Sequence, residues 1–219
     1  MASDPVKRIT MDPKGFVVLA DTIPHIVQEI RYYSTYNFIG ERIDGYEEPC
    51  ALLTAEAARA LKGVSNELFV RGYRLKVFDA YRPACAVKQF VLWGIEDTDI
   101  RMKPYFYPDL EKQELFSKGY IAKQSSHSRG SAIDLTLLDM RTGKELDMGT
   151  PFDLFSRLSH PDSRDITDEQ FENRMILRKA MMRNGFEPID CEWWHFALGD
   201  EPFPDTYFDF PVSSQYLKK

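Results

Sequence analysis

The chain has 219 residues, 43% of them hydrophobic and 28% charged, and a formal net charge of -6. That length suits one well-packed domain, and the composition excludes extensive disorder. An acidic balance with no basic run excludes general binding to nucleic acid or to anionic membrane, which needs clustered Lys and Arg.

No stretch approaches the ~20 apolar residues that a membrane helix requires. The segment Met1 to Arg8 lacks the apolar core of a signal peptide. Cys50, Cys85 and Cys191 form no CxxC pair, and Cys85 and Cys191 read as buried small hydrophobes. A cytoplasmic, reducing location is expected, with no membrane partner.

Residues 1–50 read as irregular, with a short strand at Phe16 to Leu19 and a turn at Asp44-Gly45. Thr54 is suited to cap a helix running to about Arg71, closed by Gly72. Arg74 to Phe78 reads as a strand, with Leu75 and Val77 on one face. Pro83 suits the first turn of a helix over 83–95 that turns Val87, Phe90 and Val91 inward. Ala132 to Leu138 reads as a buried strand. Thr167 to Asn184 reads as a helix ended by Gly185, with Phe171, Met175, Leu177 and Met182 as its core stripe. Residues 191–198 read as a final strand. Helices and strands mix without regular βαβ alternation, so an α+β fold is expected, as a single domain over residues 1–219.

Chemistry concentrates in two motifs. The first is Ser125-Ser126-His127-Ser128-Arg129-Gly130-Ser131-Ala132-Ile133-Asp134, and the second is Glu192-Trp193-Trp194-His195. Asp134 sits among apolar residues, where a bare carboxylate is costly and needs a cation or strong hydrogen bonds. Two imidazoles and one carboxylate make a three-ligand zinc set with a fourth position open, the pattern of a catalytic rather than a structural zinc. The plainer alternative is a core Asp134 paired with Arg129. Glu192 is placed to act as general base. On an ideal strand Glu192 and His195 would face opposite sides, so the backbone must still be turning or bulged near Trp193 and Trp194. Arg82, in Asp79-Ala80-Tyr81-Arg82-Pro83, ends a strand and can be aimed rigidly at a developing oxyanion. Its plainer alternative is an ion pair with Asp79. His160 reads as a surface residue, and His25 has no ligand partner at useful spacing.

Together with Met148-Gly149-Thr150-Pro151-Phe152-Asp153 and Tyr207-Phe208-Asp209-Phe210-Pro211, these motifs resemble the D-alanyl-D-alanine dipeptidase family from about Tyr32 to Pro211. The resemblance implies a fold shared with zinc D,D-carboxypeptidases and the hedgehog signalling domain, a mainly antiparallel sheet with helices packed around it. It also implies one Zn²⁺ on His127, Asp134 and His195, with Glu192 as base and Arg82 polarising the scissile carbonyl. By the same resemblance Asp153 with Tyr32 receives the substrate ammonium, and Ser125 lies near its carboxylate. Where the family has glycine before the Tyr-Arg-Pro stretch, this chain has Ala80. The expected reaction is hydrolysis of the small dipeptide D-Ala-D-Ala to two D-alanines. The alternatives are a D,D-carboxypeptidase trimming peptidoglycan stems and a non-catalytic zinc-bearing binding module.

Overall fold

The computed structural model describes residues 8–96 and 98–217. The segment read above for a signal peptide therefore lies almost wholly outside the described residues. In chain order the strands and helices are β1 (Arg8–Thr10), β2 (Phe16–Val18), α1 (Leu19–Thr22), β3 (Val27–Gln28), β4 (Leu52–Thr54), α2 (Ala55–Phe69), β5 (Tyr73–Asp79) and α3 (Ala84–Ile95). There follow α4 (Lys103–Phe106), α5 (Lys112–Ser117), β6 (Ala132–Asp139), α6 (Asp168–Arg183), β7 (Phe186–Pro188), β8 (His195–Leu198) and β9 (Thr206–Phe208).

The fold is α+β. Its central sheet has the order β3-β5-β6-β8-β7, and every pairing in it is antiparallel except β3 with β5. β2 pairs antiparallel with β4, and β1 pairs parallel with β9, which ties the two ends of the described chain together. Among the described residues no helix is long and apolar enough to cross a membrane.

Local chemistry explains the main elements. Thr54 caps α2, its hydroxyl accepting from Ala57 N at 3.4 Å, and Ala57, Leu61, Val64 and Leu68 make the buried stripe. The helix stops at Phe69, two residues short of the expected end, and Gly72 turns the chain at φ +87° into β5. Strand β6 is buried along Ala132 to Leu137, between β5 and β8, and carries Asp134 and Thr136 into the interior with its apolar residues. α3 turns Val87 and Phe90 inward, whereas Val91 is only half-buried.

Further expectations are corrected in α6 and at the cysteines. The inner face of α6 is Arg174, Leu177, Ala180 and Met181, while Met182 is 52% exposed and Phe171 and Met175 are half-buried. The apolar stripe missed this face because Arg174, a charged residue, takes the centre of it. Its guanidinium donates to the carbonyls of Met148 at 2.7 Å, His160 at 2.8 Å and Leu158 at 2.9 Å. Cys85 and Cys191 are half-buried rather than core residues, and all three thiols are free.

Candidate metal centre and catalytic cleft

The sheet register assembles the centre. Asp79 on β5 pairs with Asp134 on β6, and Asp134 pairs with His195 on β8, so three polar residues stand side by side across adjacent strands. The register of β5 shifts between Val77 and Asp79, a bulge that re-aims the strand end toward this row. His127 comes from a single 3-10 turn, Ser126–Arg129, capped by the Ser125 hydroxyl, which accepts from His127 N at 3.2 Å. Gly130 ends that turn at φ +78°, and its carbonyl accepts from Thr54 N at 2.8 Å. The chain then runs directly into β6. The chain therefore bends between the loop histidine and the strand carboxylate.

His127, Asp134 and His195 converge, and all three are buried, at 2%, 2% and 5% exposure. His127 Nε2 lies 3.0 Å from His195 Nδ1, His195 Nδ1 lies 3.0 Å from Asp134 Oδ1, and His127 Nε2 lies 3.3 Å from the same oxygen. Ligand bonds of about 2.0–2.1 Å around a tetrahedral zinc give edges of about 3.3 Å between donor atoms, so this triangle fits one face of such a site. The proton on His127 is fixed by geometry. Its Nδ1 donates to the Ala80 carbonyl at 2.6 Å, which leaves the Nε2 lone pair facing the other two donors. Burial pushes the Asp134 carboxyl up, but His127 and His195 outweigh it and hold Asp134 well below the ordinary carboxylate range. Arg129 is not its partner: it pairs with Glu201 at 2.8 Å.

A cleft of about 180 Å³ opens beside the donors and is lined by Glu192, Arg82, Asp153, Tyr32 and Ser125, among others. Every site residue singled out in the sequence therefore borders one space. Glu192 lies outside a strand, and Trp193-Trp194 form a turn before β8 starts at His195. That turn resolves the spacing problem: Glu192 need not obey strand alternation. Burial, and then the charges of Asp134 and Asp153, push the Glu192 carboxyl well above its usual range. Burial and the Asp134 charge likewise raise Asp153 to about 8. Three carboxyl groups facing one cleft create a field that suits a cation.

Arg82 makes the ion pair with Asp79 and also borders the cleft. Its Nε donates to Asp79 Oδ2 at 2.9 Å, while Nη2 lies 3.5 Å from Asp134 Oδ2 at the cleft. Asp79, fully buried, is held in turn by the Tyr46 hydroxyl at 2.6 Å. The guanidinium also lies over the rings of Tyr32 and Phe90, at 4.9 and 5.2 Å. Tyr32 donates to Asp153 Oδ2 at 3.0 Å, and Asp153 itself sits at φ +63°, a conformation few non-glycine residues adopt. The backbone thus turns a buried carboxyl toward the cleft. Tyr33, adjacent to Tyr32, instead packs against Arg42, whose guanidinium lies 4.0 Å from its ring centre.

Sequence reasoning missed the Ala80 carbonyl, Tyr46, Tyr120 and Phe155. A backbone acceptor carries no residue signal, so the Ala80 carbonyl was not readable. Tyr46 had a faint one, since a buried Asp79 needs a donor. His160 is half-buried rather than on the surface, 3.3 Å from the Tyr120 hydroxyl, and His25 is exposed and stacks on Phe69.

Two imidazole nitrogens and a carboxylate oxygen, with a second carboxyl and a guanidinium across an adjoining cleft, make the arrangement of a metallohydrolase. The chain belongs to the D-ala-D-ala dipeptidase family of M15 peptidases, whose model matches residues 12–213. It is 42% identical to a D-alanyl-D-alanine dipeptidase of Enterococcus faecalis, over 91% of this chain and 98% of that one. It is 38% identical to one of Streptomyces coelicolor (90% and 98% covered) and 34% identical to one of Escherichia coli (85% and 86%). Among solved structures, similarity extends to a vancomycin-resistance D,D-pentapeptidase in complex with Zn(II), at 13% identity and a TM-score of 0.42 over 71% of this chain and 77% of that one.

Proposed function

We propose that this chain is a zinc-dependent dipeptidase that hydrolyses D-Ala-D-Ala to two D-alanines. The observation that carries the reading is the donor triangle of His127, Asp134 and His195, with edges of 3.0 to 3.3 Å, opening on a cleft that Glu192 and Arg82 border. Family membership supports the substrate.

Zinc held by these three residues supplies Lewis acidity, polarising a carbonyl and acidifying water. Glu192 takes the proton of the attacking water and delivers it to the leaving amine, a role that its raised proton affinity suits. Arg82, fixed by Asp79, donates to the carbonyl oxygen as negative charge develops there. Asp153, oriented by Tyr32, receives the substrate ammonium, and Ser125 at the mouth of the His127 turn lies near the substrate carboxylate. Residues 1–219 act as one domain in this reading, which the pairing of β1 with β9 supports. Three free thiols support a reducing compartment, the cytoplasm, where the enzyme would clear D-Ala-D-Ala from the precursor pool of the cell wall.

The test is release of D-alanine from D-Ala-D-Ala by purified protein, with and without chelator. Turnover abolished by chelator and restored by Zn²⁺ is expected. Absence of turnover in zinc-loaded protein overturns the reading.

A further inference from the structure

The roles above use neither Tyr120 nor His160, yet both stand at the cleft or against its wall. Tyr120 lies in the segment between α5 and the His127 turn, a stretch without helix or strand that forms one side of the cleft from Gly119 to Ser126. The opposite side is the loop carrying Asp153 and Phe155. The two sides touch. Tyr120 stacks on Phe155 with ring centres 5.1 Å apart and planes at 25°, and its hydroxyl lies 3.3 Å from His160 Nε2.

Each partner is itself fixed. Next to Tyr120, Ile121 is buried and its N–H donates to the Leu115 carbonyl at 3.1 Å, anchoring the segment to the end of α5. Phe155 is buried against Phe38, ring centres 5.2 Å apart, and its N–H donates to the Phe106 carbonyl at 2.7 Å. The His160 carbonyl accepts from the buried Arg174, which also holds Leu158 and Met148 on the same loop. Burial and the Arg157 charge depress the His160 pKa, so its ring is neutral near neutral pH and Nε2 can share a hydrogen bond with the phenol.

We propose that Tyr120, stacked on Phe155 and latched to His160, closes the amino end of the cleft and so restricts the enzyme to dipeptides with a free ammonium. The inference rests on the dipeptidase reading, in which Asp153 marks the amino end. Phe155 is two residues from Asp153, so the stack stands next to the place where any group attached to the substrate nitrogen would have to pass. A longer substrate must break the ring stack and the hydrogen bond, or stay out. Together these two contacts bias the closed wall by roughly tenfold to a hundredfold. Charge pairing at Asp153 then favours the ammonium, and the Tyr120 wall independently excludes the bulk.

The experiment compares kcat/KM for D-Ala-D-Ala and N-acetyl-D-Ala-D-Ala in the zinc-loaded enzyme and in Tyr120→Ala, Tyr120→Phe and His160→Ala. Tyr120→Ala is expected to narrow the preference for the free dipeptide by roughly tenfold or more, chiefly through faster cleavage of the acetylated substrate. Tyr120→Phe and His160→Ala keep the stack and should narrow it less. A merely structural role would lower both rates together and leave their ratio unmoved. An unchanged ratio in Tyr120→Ala, or in both other variants should that protein not fold, overturns the proposal. An unmodified enzyme inactive on both substrates removes the dipeptidase reading itself, and the proposal with it. One that cleaves both equally well also overturns the proposal.

Discussion

Glu192 shares its cleft with Asp134, Asp153 and Arg82, and its environment favours the protonated acid until a cation arrives. Because it lies beside the donor triangle rather than in it, Glu192→Ala should keep its zinc and lose about 10²–10⁴ of kcat. Metal analysis with steady-state rates checks this, and loss of zinc from the variant would make Glu192 a ligand. The acid–base balance of the cleft gives a second outcome. Without metal, Asp153 keeps its proton up to about pH 8, and Glu192 is raised well above its usual range. A bound cation favours the ionised form of both, so zinc binding at about pH 7 should release protons, and apparent affinity should rise with pH. Titrating zinc into metal-free protein with a pH indicator counts them. Asp153→Asn should release fewer, and an unchanged count would show that Asp153 already lacks its proton. At this scale the sequence was most legible, because Asp134 in an apolar strand and the paired histidines have few explanations other than a metal. Asp153 was not readable in the same way. Its left-handed backbone and its bond to Tyr32 depend on neighbours far away in the chain, and only the family resemblance pointed to it.

The turn Ser126–Arg129 shows how a short element controls the centre. Gly130 closes it in the left-handed region, and a Cβ there would fall on the Phe16 ring. Gly130→Ala should therefore cost about 1–3 kcal/mol and displace His127 as the turn yields. Denaturant unfolding and zinc content measured together check it; a variant with normal stability and full metal would mean that the Phe16 ring moves aside freely. Elements with a start and a stop signal were legible, as α2 was from Thr54 and Gly72. α6 was legible in extent and not in orientation. Apolar periodicity cannot anticipate that Arg174 faces inward, because the three carbonyls that satisfy its guanidinium lie in a loop distant in sequence. The last strand was placed too early for a related reason: two tryptophans favour extended structure, and here they form the turn that frees Glu192 from strand alternation.

Across the whole molecule, the donors come from a loop, the central strand β6 and its neighbour β8, so metal binding reports on the packing of most of the sheet. Zinc at about a hundredfold excess over its Kd should stabilise the fold by about 2.7 kcal/mol, which raises Tm by roughly 5–11 °C for a chain of this size. Calorimetry with zinc and with chelator measures the shift, and no difference would mean that the donors lie apart in the metal-free protein. Metal-free protein should also lose stability as pH rises from about 4, the unfolded value for a carboxyl, toward about 8. In that window folded Asp153 and Glu192 hold protons that the unfolded carboxyls give up, and together they outweigh His195, whose pKa burial lowers and which acts in the opposite sense. The α+β class was legible from the irregular alternation of helices and strands. The strand order was not, since β3 and β7 are too short to announce themselves and the parallel union of β1 with β9 joins opposite ends of the chain. The pairing of Asp134 with His195 also has a consequence for the newborn polypeptide. On the proposed ligand set, a nascent chain that has already emitted His127 and Asp134 while the ribosome is still adding residues would possess only two-thirds of its chelating donors. The centre is completed only after His195 clears the exit tunnel and β8 docks on β6. Under that proposal hydrolytic power would switch on late in synthesis, and a polypeptide released prematurely before His195 would be born without it.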